Sequence, residues 1–236
     1  MTGAGLMLPL PATIAAAESH GGPAIDNVLT PDPREAFVAG GAFAITLDLG
    51  AIVAVDTFFI GYTDAVGGLA WSASVPGGAV VASGGFLTSY RRAPMRHAAT
   101  VLNQPIMTQY LTFSAAGPMT IGVVAAGLSI RADYEWGGGR PISDTGRADR
   151  LATGFGIERG VTAGGWSWTF AGVDDDTAER LYALALDAGT TETVLAFEDA
   201  ASIRNEAWHW GTLTRLEPYS RQAPGENKWA MQVQEW

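Results

Sequence analysis

The run Ala42–Gly50, "AFAITLDLG", sets Phe43, Ile45, Leu47 and Leu49 on one face by strict alternation. A period of two fits a strand with one buried and one wet face, and it does not fit a helix. Further runs of the same kind follow: "AVDTFFIGY" (Ala54–Tyr62), a buried-type strand, then "LAWSASV" (Leu69–Val75), "GAVVASG", "RHAATVLN", "QYLTFSA" and "MTIGVVAAGLSI". Gly, Pro and Asn separate them. Strands with turn signals every ~8–12 residues point to a sandwich or jelly roll. Composition supplies what such a fold needs. Hydrophobic residues are 47% of the 236 and charged residues 16%, enough for a packed core, and 30 Gly with 12 Pro supply the turns. There is no cysteine, which removes disulfides and thiolate metal sites.

The chain changes character near Arg131. Residues 1–131 carry seven acids, five bases and one tryptophan, Trp71. Residues 132–236 carry seventeen acids, nine bases and seven tryptophans. Between them "WGGGRPISDTGRADR" (Trp136–Arg150) lacks apolar periodicity and reads as a linker. Two domains are expected, 1–131 and 132–236. In the second, "GGWSWTF" puts Trp166, Trp168 and Phe170 on one strand face. "VDDDTAERLYALALDAG" then reads as a helix over about 175–188. The acids at 174–176 provide its cap and first-turn charge, Ala178, Leu181, Tyr182 and Ala185 form an apolar stripe, and Gly189 ends it. The strands "TVLAFED", "AWHWGTLTRLEP" and "NKWAMQVQEW" follow, the last with Trp229, Met231 and Val233 inward. The expected fold is therefore mostly β: two β-sandwich-type domains, the second with one packed α-helix.

Net charge is −10, and the densest basic stretch, "YRRAPMRH" (Tyr90–His97), reads as a solvated loop, so tight nucleic-acid binding is not expected. No run approaches the roughly 18 apolar residues of a membrane span. The first twenty residues lack Lys and Arg, and Pro9 and Pro11 interrupt their apolar stretch. They read as an extended arm of the kind that pairs with a neighbouring subunit.

Catalytic signatures are absent. His20, His97 and His209 stand outside metal-binding spacings, and there is no nucleophile elbow, phosphate loop or dinucleotide fingerprint. The consecutive acids at 174–176 suit capping rather than a calcium loop. Glu198 and Asp199 end a strand and read as a solvated turn rather than a glycosidase pair. Trp208, His209 and Trp210 suit core packing, with an aromatic platform for a sugar or partner chain as the other reading. Neither a cofactor nor a metal is expected, and the chain is read as a non-enzyme.

The stretch "PAIDNVLTPDPREAF…AFAITLDLGAIVAVDTFFIGYTDA" resembles the opening of discoidin-type, galactose-binding-like β-sandwiches: an Asp-rich first loop, an aromatic at Phe37, a strand ending Asp48-Leu49-Gly50, and then Val55-Asp56-Thr57. The likeness covers roughly residues 10–131. The second half resembles, in the order of "WSWTF", the helix, "ETVLAF", "HWGTLTRLEP" and "KWAMQVQEW", the β-sandwich-plus-helix domains of distal-tail and baseplate proteins of tailed phages, prophages and gene-transfer particles.

Together these resemblances imply a structural tail-tip protein located in the virion and made in the host cytoplasm. It would form a homo-oligomeric ring with itself about the tail axis, bind other tail or baseplate proteins, and contact a cell-surface glycan. A stand-alone carbohydrate-binding module is the alternative, and a hydrolase with scattered acids is a third reading. Pro31 and Pro33 make "TPDPREAF" a rigid entry to the sandwich. The residues singled out for a glycan or partner contact are Asp32, Arg34, Phe37, Trp71 and Tyr90.

Overall fold

The computed structural model describes residues 3–18, 25–65, 67–89, 95–135, 138–144, 147–151, 154–158, 162–204, 207–216, 220–223 and 225–236. The chain is mostly β with one α-helix, and it divides into two compact units. The first comprises Met1–Arg131 with Leu195–Trp208, and the second Ala132–Val194 with His209–Trp236.

The first unit runs β1 (Ala4–Met7), β2 (Thr13–Glu18), a 3-10 turn (Ile25–Leu29), β3 (Phe37–Ala39), β4 (Phe43–Thr63), β5 (Leu69–Ser74), β6 (Val80–Gly85), β7 (Leu87–Thr88), β8 (Arg96–Ala115), β9 (Met119–Ile121), β10 (Val123–Gly127) and β11 (Ile130–Ala132). Its main sheet has the order β10-β4-β8-β5-β6, with β2 added beside β4 and β7 beside β8. The small β3–β9 sheet, Phe37 opposite Ile121 and Ala39 opposite Met119, forms the second layer. Phe37, Ala39, Met119 and Ile121 share one core cluster with Phe43, Ile45, Leu47, Phe58, Ile60, Leu111 and Phe113. The alternating face of "AFAITLDLG" is therefore the inner face of the sandwich. Two long strands, β4 and β8, carry most of the sheet, and bulges between Asp48 and Val53 and between Val55 and Thr57 bend it.

One buried carboxylate ties this unit together. Asp56, 1% exposed, accepts from Thr57 Oγ1 (2.7 Å), Ser129 N (2.8 Å) and Ser129 Oγ (3.0 Å), with Arg131 Nη2 at 3.6 Å. Saturating its lone pairs is what lets a carboxylate sit inside.

The N-terminal arm departs from expectation. Ala4–Met7 is a fully buried strand of this chain's own fold, antiparallel to Leu195–Phe197 with Gly5 opposite Phe197. A Cβ on Gly5 would overlap the Phe197 ring, so the close approach requires glycine. The apolar "AGLM" buries its side chains here instead of awaiting a neighbouring subunit. This pairing also draws Leu195–Trp208 into the first unit, although the sequence reading left that segment in the second half.

The second unit runs β12 (Ser143–Asp144), β13 (Arg147–Leu151), β14 (Gly154–Glu158), β15 (Thr162–Ala163), β16 (Gly165–Val173), α1 (Asp175–Ala188), β17 (Thr193–Phe197, shared with the first unit), β18 (Trp208–Leu216), β19 (Ser220–Ala223) and β20 (Glu226–Glu235). The expected linker 136–150 thus contains β12 and most of β13, which pair with β15 and β14. Two-stranded ribbons close main-chain hydrogen bonds without an apolar period, so the pattern did not announce them.

Strand β20 lies between β16 and β18, with Trp166 opposite Val233, Trp168 opposite Met231 and Phe170 opposite Trp229. Trp166 and Trp168 stack at 4.1 Å and 8°, and the buried His209 ring lies on Trp166 at 5.5 Å while its Nδ1 meets Glu235 Oε1 at 2.8 Å. Trp208 and Trp210 are buried too, so the "WHW" triplet is interior on both sides rather than an exposed platform.

Helix α1 begins where the acids predicted. Asp174 is the N-cap, accepting from Thr177 N at 2.7 Å, a bond that holds its carboxyl below the usual range, and Gly189 ends the helix at φ 53°. The buried face is Ala178, Leu181, Leu184, Ala185 and Ala188. Tyr182, placed in the apolar stripe from the sequence, is 45% exposed, one position off that face. Among the described residues no helix is long and apolar enough to cross a membrane.

Candidate functional site

The loop that enters the first sandwich is held by its own side chains. Thr30 gives both N–H and Oγ1 to Asn27 O, and Glu35 N donates to Asp32 O. Asp32 Oδ1 accepts from Arg34 N (2.9 Å), and the Arg34 guanidinium forks onto the same carboxylate, Nε to Oδ1 at 2.8 Å and Nη2 to Oδ2 at 2.7 Å. Arg34 holds the Asp32 carboxyl below its usual range, and Asp32 raises the guanidinium in turn. Pro31 and Pro33 fix the backbone on either side, so the fork stands on a stiff loop. Arg34 is 73% exposed, and its Nη1 takes no part in the fork.

This loop rests on the far end of β4. A Cβ on Gly122 would lie 2.9 Å from Pro33 O and 2.8 Å from Tyr62 Cβ, so loop and Tyr62 close over a glycine that nothing larger could replace without a shift. Gly122 N donates to Gly61 O (3.1 Å) and Tyr62 O (3.2 Å).

Tyr62 has a positive φ of 53°, alone among the described non-glycine residues. An aromatic residue in that region costs about 1–3 kcal/mol, and such strain survives only where the surroundings over-determine it. Here they do. Tyr62 N donates to His97 Nδ1 (3.4 Å), and the Tyr62 ring meets the buried imidazole edge-on at 5.0 Å. Nδ1 accepts in that bond, which puts the proton of the neutral ring on Nε2. His97 is fixed in turn by Ser89, through His97 N to Ser89 Oγ (3.0 Å) and Ser89 N to His97 O (2.8 Å), and by Phe59 at 5.3 Å. Two residues beyond Tyr62, the exposed Asp64 carboxylate accepts from Thr120 N (2.7 Å) and Thr120 Oγ1 (3.2 Å).

The result is a half-buried tyrosine held in a fixed pose beside a stiff loop carrying a guanidinium–carboxylate fork. An apolar ring face with convergent hydrogen-bonding groups can hold a molecule that has both an apolar face and several hydroxyls. Nothing in this set forms a nucleophile–base pair. Among the described residues no group of three or more His, Asp or Glu side chains could hold a metal ion.

Of the residues singled out from sequence, Asp32 and Arg34 come together as the exposed fork. Phe37 and Trp71 do not join them. Phe37 is 1% exposed, on the inner face of β3. Trp71 is 5% exposed, stacked on Phe58 at 4.3 Å and backed by Gly84, where a Cβ would sit 3.0 Å from the indole. Both rings fill the core, because each falls on the inward parity of its strand, and neither can meet a ligand from solvent. Tyr90 lies outside the described residues. Tyr62 was missed, since a left-handed φ at a tyrosine leaves no mark in composition or alternation.

No family model matches the chain, and no curated protein matches it. Solved structures do. A family 32 carbohydrate-binding module from Clostridium perfringens NanJ, solved in complex with galactose, is 11% identical over 52% of this chain and 98% of its own, with a TM-score of 0.39. A chitosan-binding module from a chitosanase/glucanase of Paenibacillus sp. IK-5 is 10% identical over 52% and 99%, with a TM-score of 0.39. The serum fucolectin of Morone saxatilis, striped bass, is 10% identical over 69% and 68%, with a TM-score of 0.38.

Proposed function

We propose that this chain is a non-catalytic carbohydrate-binding protein whose sugar seat is the Tyr62 end of the first sandwich. The observation that carries the reading is the strained Tyr62, a half-buried residue whose ring meets His97 edge-on. Strain maintained by so many contacts at a half-buried tyrosine has a structural cost, and a ligand gives that cost a use. A sugar ring offers the matching chemistry: axial C–H groups for the tyrosyl face and hydroxyls for Arg34, Asp32 and Asp64. The pre-bonded fork presents those groups in fixed geometry, which limits the ordering cost of binding.

The tail-tip role, with its ring of copies, virion location and baseplate partners, finds no support in the described residues. Trp166, Trp168, Trp210 and Trp229 of the second unit are buried, whereas Tyr134, Tyr182 and Trp236 are exposed. The carbohydrate reading is the stronger of the two.

A glycan array followed by titration calorimetry with the best sugar tests it. Tyr62→Ala, and separately Arg34→Ala, should weaken binding at least about tenfold, roughly 1.4 kcal/mol, while circular dichroism stays unchanged. Binding that survives both substitutions, or an array with no hit for the folded protein, would sink the proposal.

A further inference from the structure

We propose that two copies of this chain pair antiparallel through β6, joining their main sheets across a two-fold axis. The argument is independent of the sugar seat, which lies elsewhere on the unit.

Strand β6 ends the main sheet, and among the described residues its only strand partner is β5. Phe86 N donates to Leu69 O (3.1 Å), which makes that facing pair a hydrogen-bonded one. In an antiparallel ladder the bonded pairs alternate, so Trp71–Gly84 and Ala73–Ala82 bond, and the N–H and C=O of Ser83 turn away from β5. Gly85 O is already taken by Thr100 Oγ1 (3.0 Å). The open main-chain groups therefore centre on Ser83 and on Val81, the extra residue of the bulge between Ala73 and Ser74.

Apart from the bulge at Val81, this edge carries little protection. Val80 is 63% and Val81 46% exposed. Edge strands are commonly guarded by Lys, by Pro or by an inward charge, and β6 ("VVASGG") has none. The apolar surface continues sideways. Ser74 pairs with Val80 and accepts from Thr108 Oγ1 (2.8 Å), and Thr108 pairs with Val53. Exposed Met107 and Ile52 adjoin those last two residues, so they stand at the same end of the sheet as Val80.

Charge selects the occupant. The chain carries −10, yet no Asp, Glu, Lys or Arg occurs between Asp64 and Arg91. A second copy approaching elsewhere meets like charge, whereas two β6 edges meet neutral against neutral. Another extended strand can take the place of water on the exposed Ser83 groups, and a strand pairs with its own copy about a two-fold without needing a second surface. The two-fold uses up both edges, so the pairing closes as a dimer and does not grow.

The test is light scattering of the full chain across a concentration series, with sedimentation equilibrium for the constant. Wild type should reach twice 24.7 kDa. Val80→Lys with Val81→Lys should weaken dimerisation at least about tenfold, with the far-ultraviolet spectrum and Tm retained. Ser83→Pro removes an outward N–H without touching a bond to β5 and should do the same. Val38→Lys, at an exposed valine on β3, should leave the dimer intact. A wild type that stays monomeric at every concentration overturns the proposal, as does a dimer indifferent to both edge variants.

Discussion

The two units reach a packed interior by different means. The core cluster of the first is Phe and aliphatic side chains with a single tryptophan, Trp71, and the unit admits one saturated carboxylate, Asp56. The second stacks Trp166, Trp168 and His209 against a three-strand arrangement of β16, β20 and β18, with α1 adding an apolar stripe. A ligand would be sought first where tryptophans crowd, yet Trp166, Trp168, Trp210 and Trp229 are spent on the core there, and the exposed rings of that unit, Tyr134, Tyr182 and Trp236, carry no backbone strain. The half-buried tyrosine on a strained backbone, Tyr62, belongs to the tryptophan-poor unit. Aromatic count measures core chemistry, and exposure with strain measures availability.

The comparison breaks most easily at the indole stack. Trp168→Ala should cost about 3–5 kcal/mol by denaturant unfolding, the largest effect expected here. Trp168→Phe should cost far less, because among the described residues Trp168 Nε1 is buried without a hydrogen-bond partner, and the change removes that unpaired donor. Equal losses for the two would mean that the stack contributes through the N–H and not through ring area.

The matching test in the first unit is Asp56→Ala. It strips the acceptor from Ser129 N, Ser129 Oγ and Thr57 Oγ1 and leaves Arg131 without its partner. A loss of about 3 kcal/mol is expected, with Asp56→Asn retaining part of it. If the alanine variant unfolds at the wild-type midpoint, the carboxylate is no tie.

Gly5→Ala probes the docked N-terminal strand. The new methyl overlaps Phe197, and overpacking of this kind costs about 1–3 kcal/mol. Hydrogen exchange would then show faster exchange at Leu195–Phe197, and protection unchanged there would separate β1 from the stability of that segment.

The smallest effect is at the helix cap. Asp174→Ala should lower Tm by a few degrees at neutral pH. Because the Thr177 N–H depresses the Asp174 carboxyl below its ordinary 3.8, the cap's contribution is complete above that value and disappears as pH falls through the lower, folded one. Wild type and variant should therefore converge in Tm as the pH is taken well below 3.8, read by paired thermal scans, and a gap that persists there would assign the effect to something other than the charge.

Local chemistry determined the local elements. Alternation at Phe43–Leu49 determined a strand and its inner face, and the acids at 174–176 with Gly189 determined where a helix starts and stops, because periodicity and capping act over a few residues. The same locality explains the misplaced residues. Phe37 and Trp71 looked available and Tyr182 looked buried, and the parity of a strand or the last few tens of degrees around a helix decided otherwise once a neighbouring layer existed. Which strand lies beside which is a long-range matter: that "AGLM" pairs with Leu195–Phe197, that Asp56 finds Ser129, and that Pro33 closes over Gly122 onto a left-handed Tyr62 follow from contacts distant in sequence. An alternating run says which way its side chains point and nothing about what will meet them, so the candidate seat and the open β6 edge were decided only when the sheets assembled.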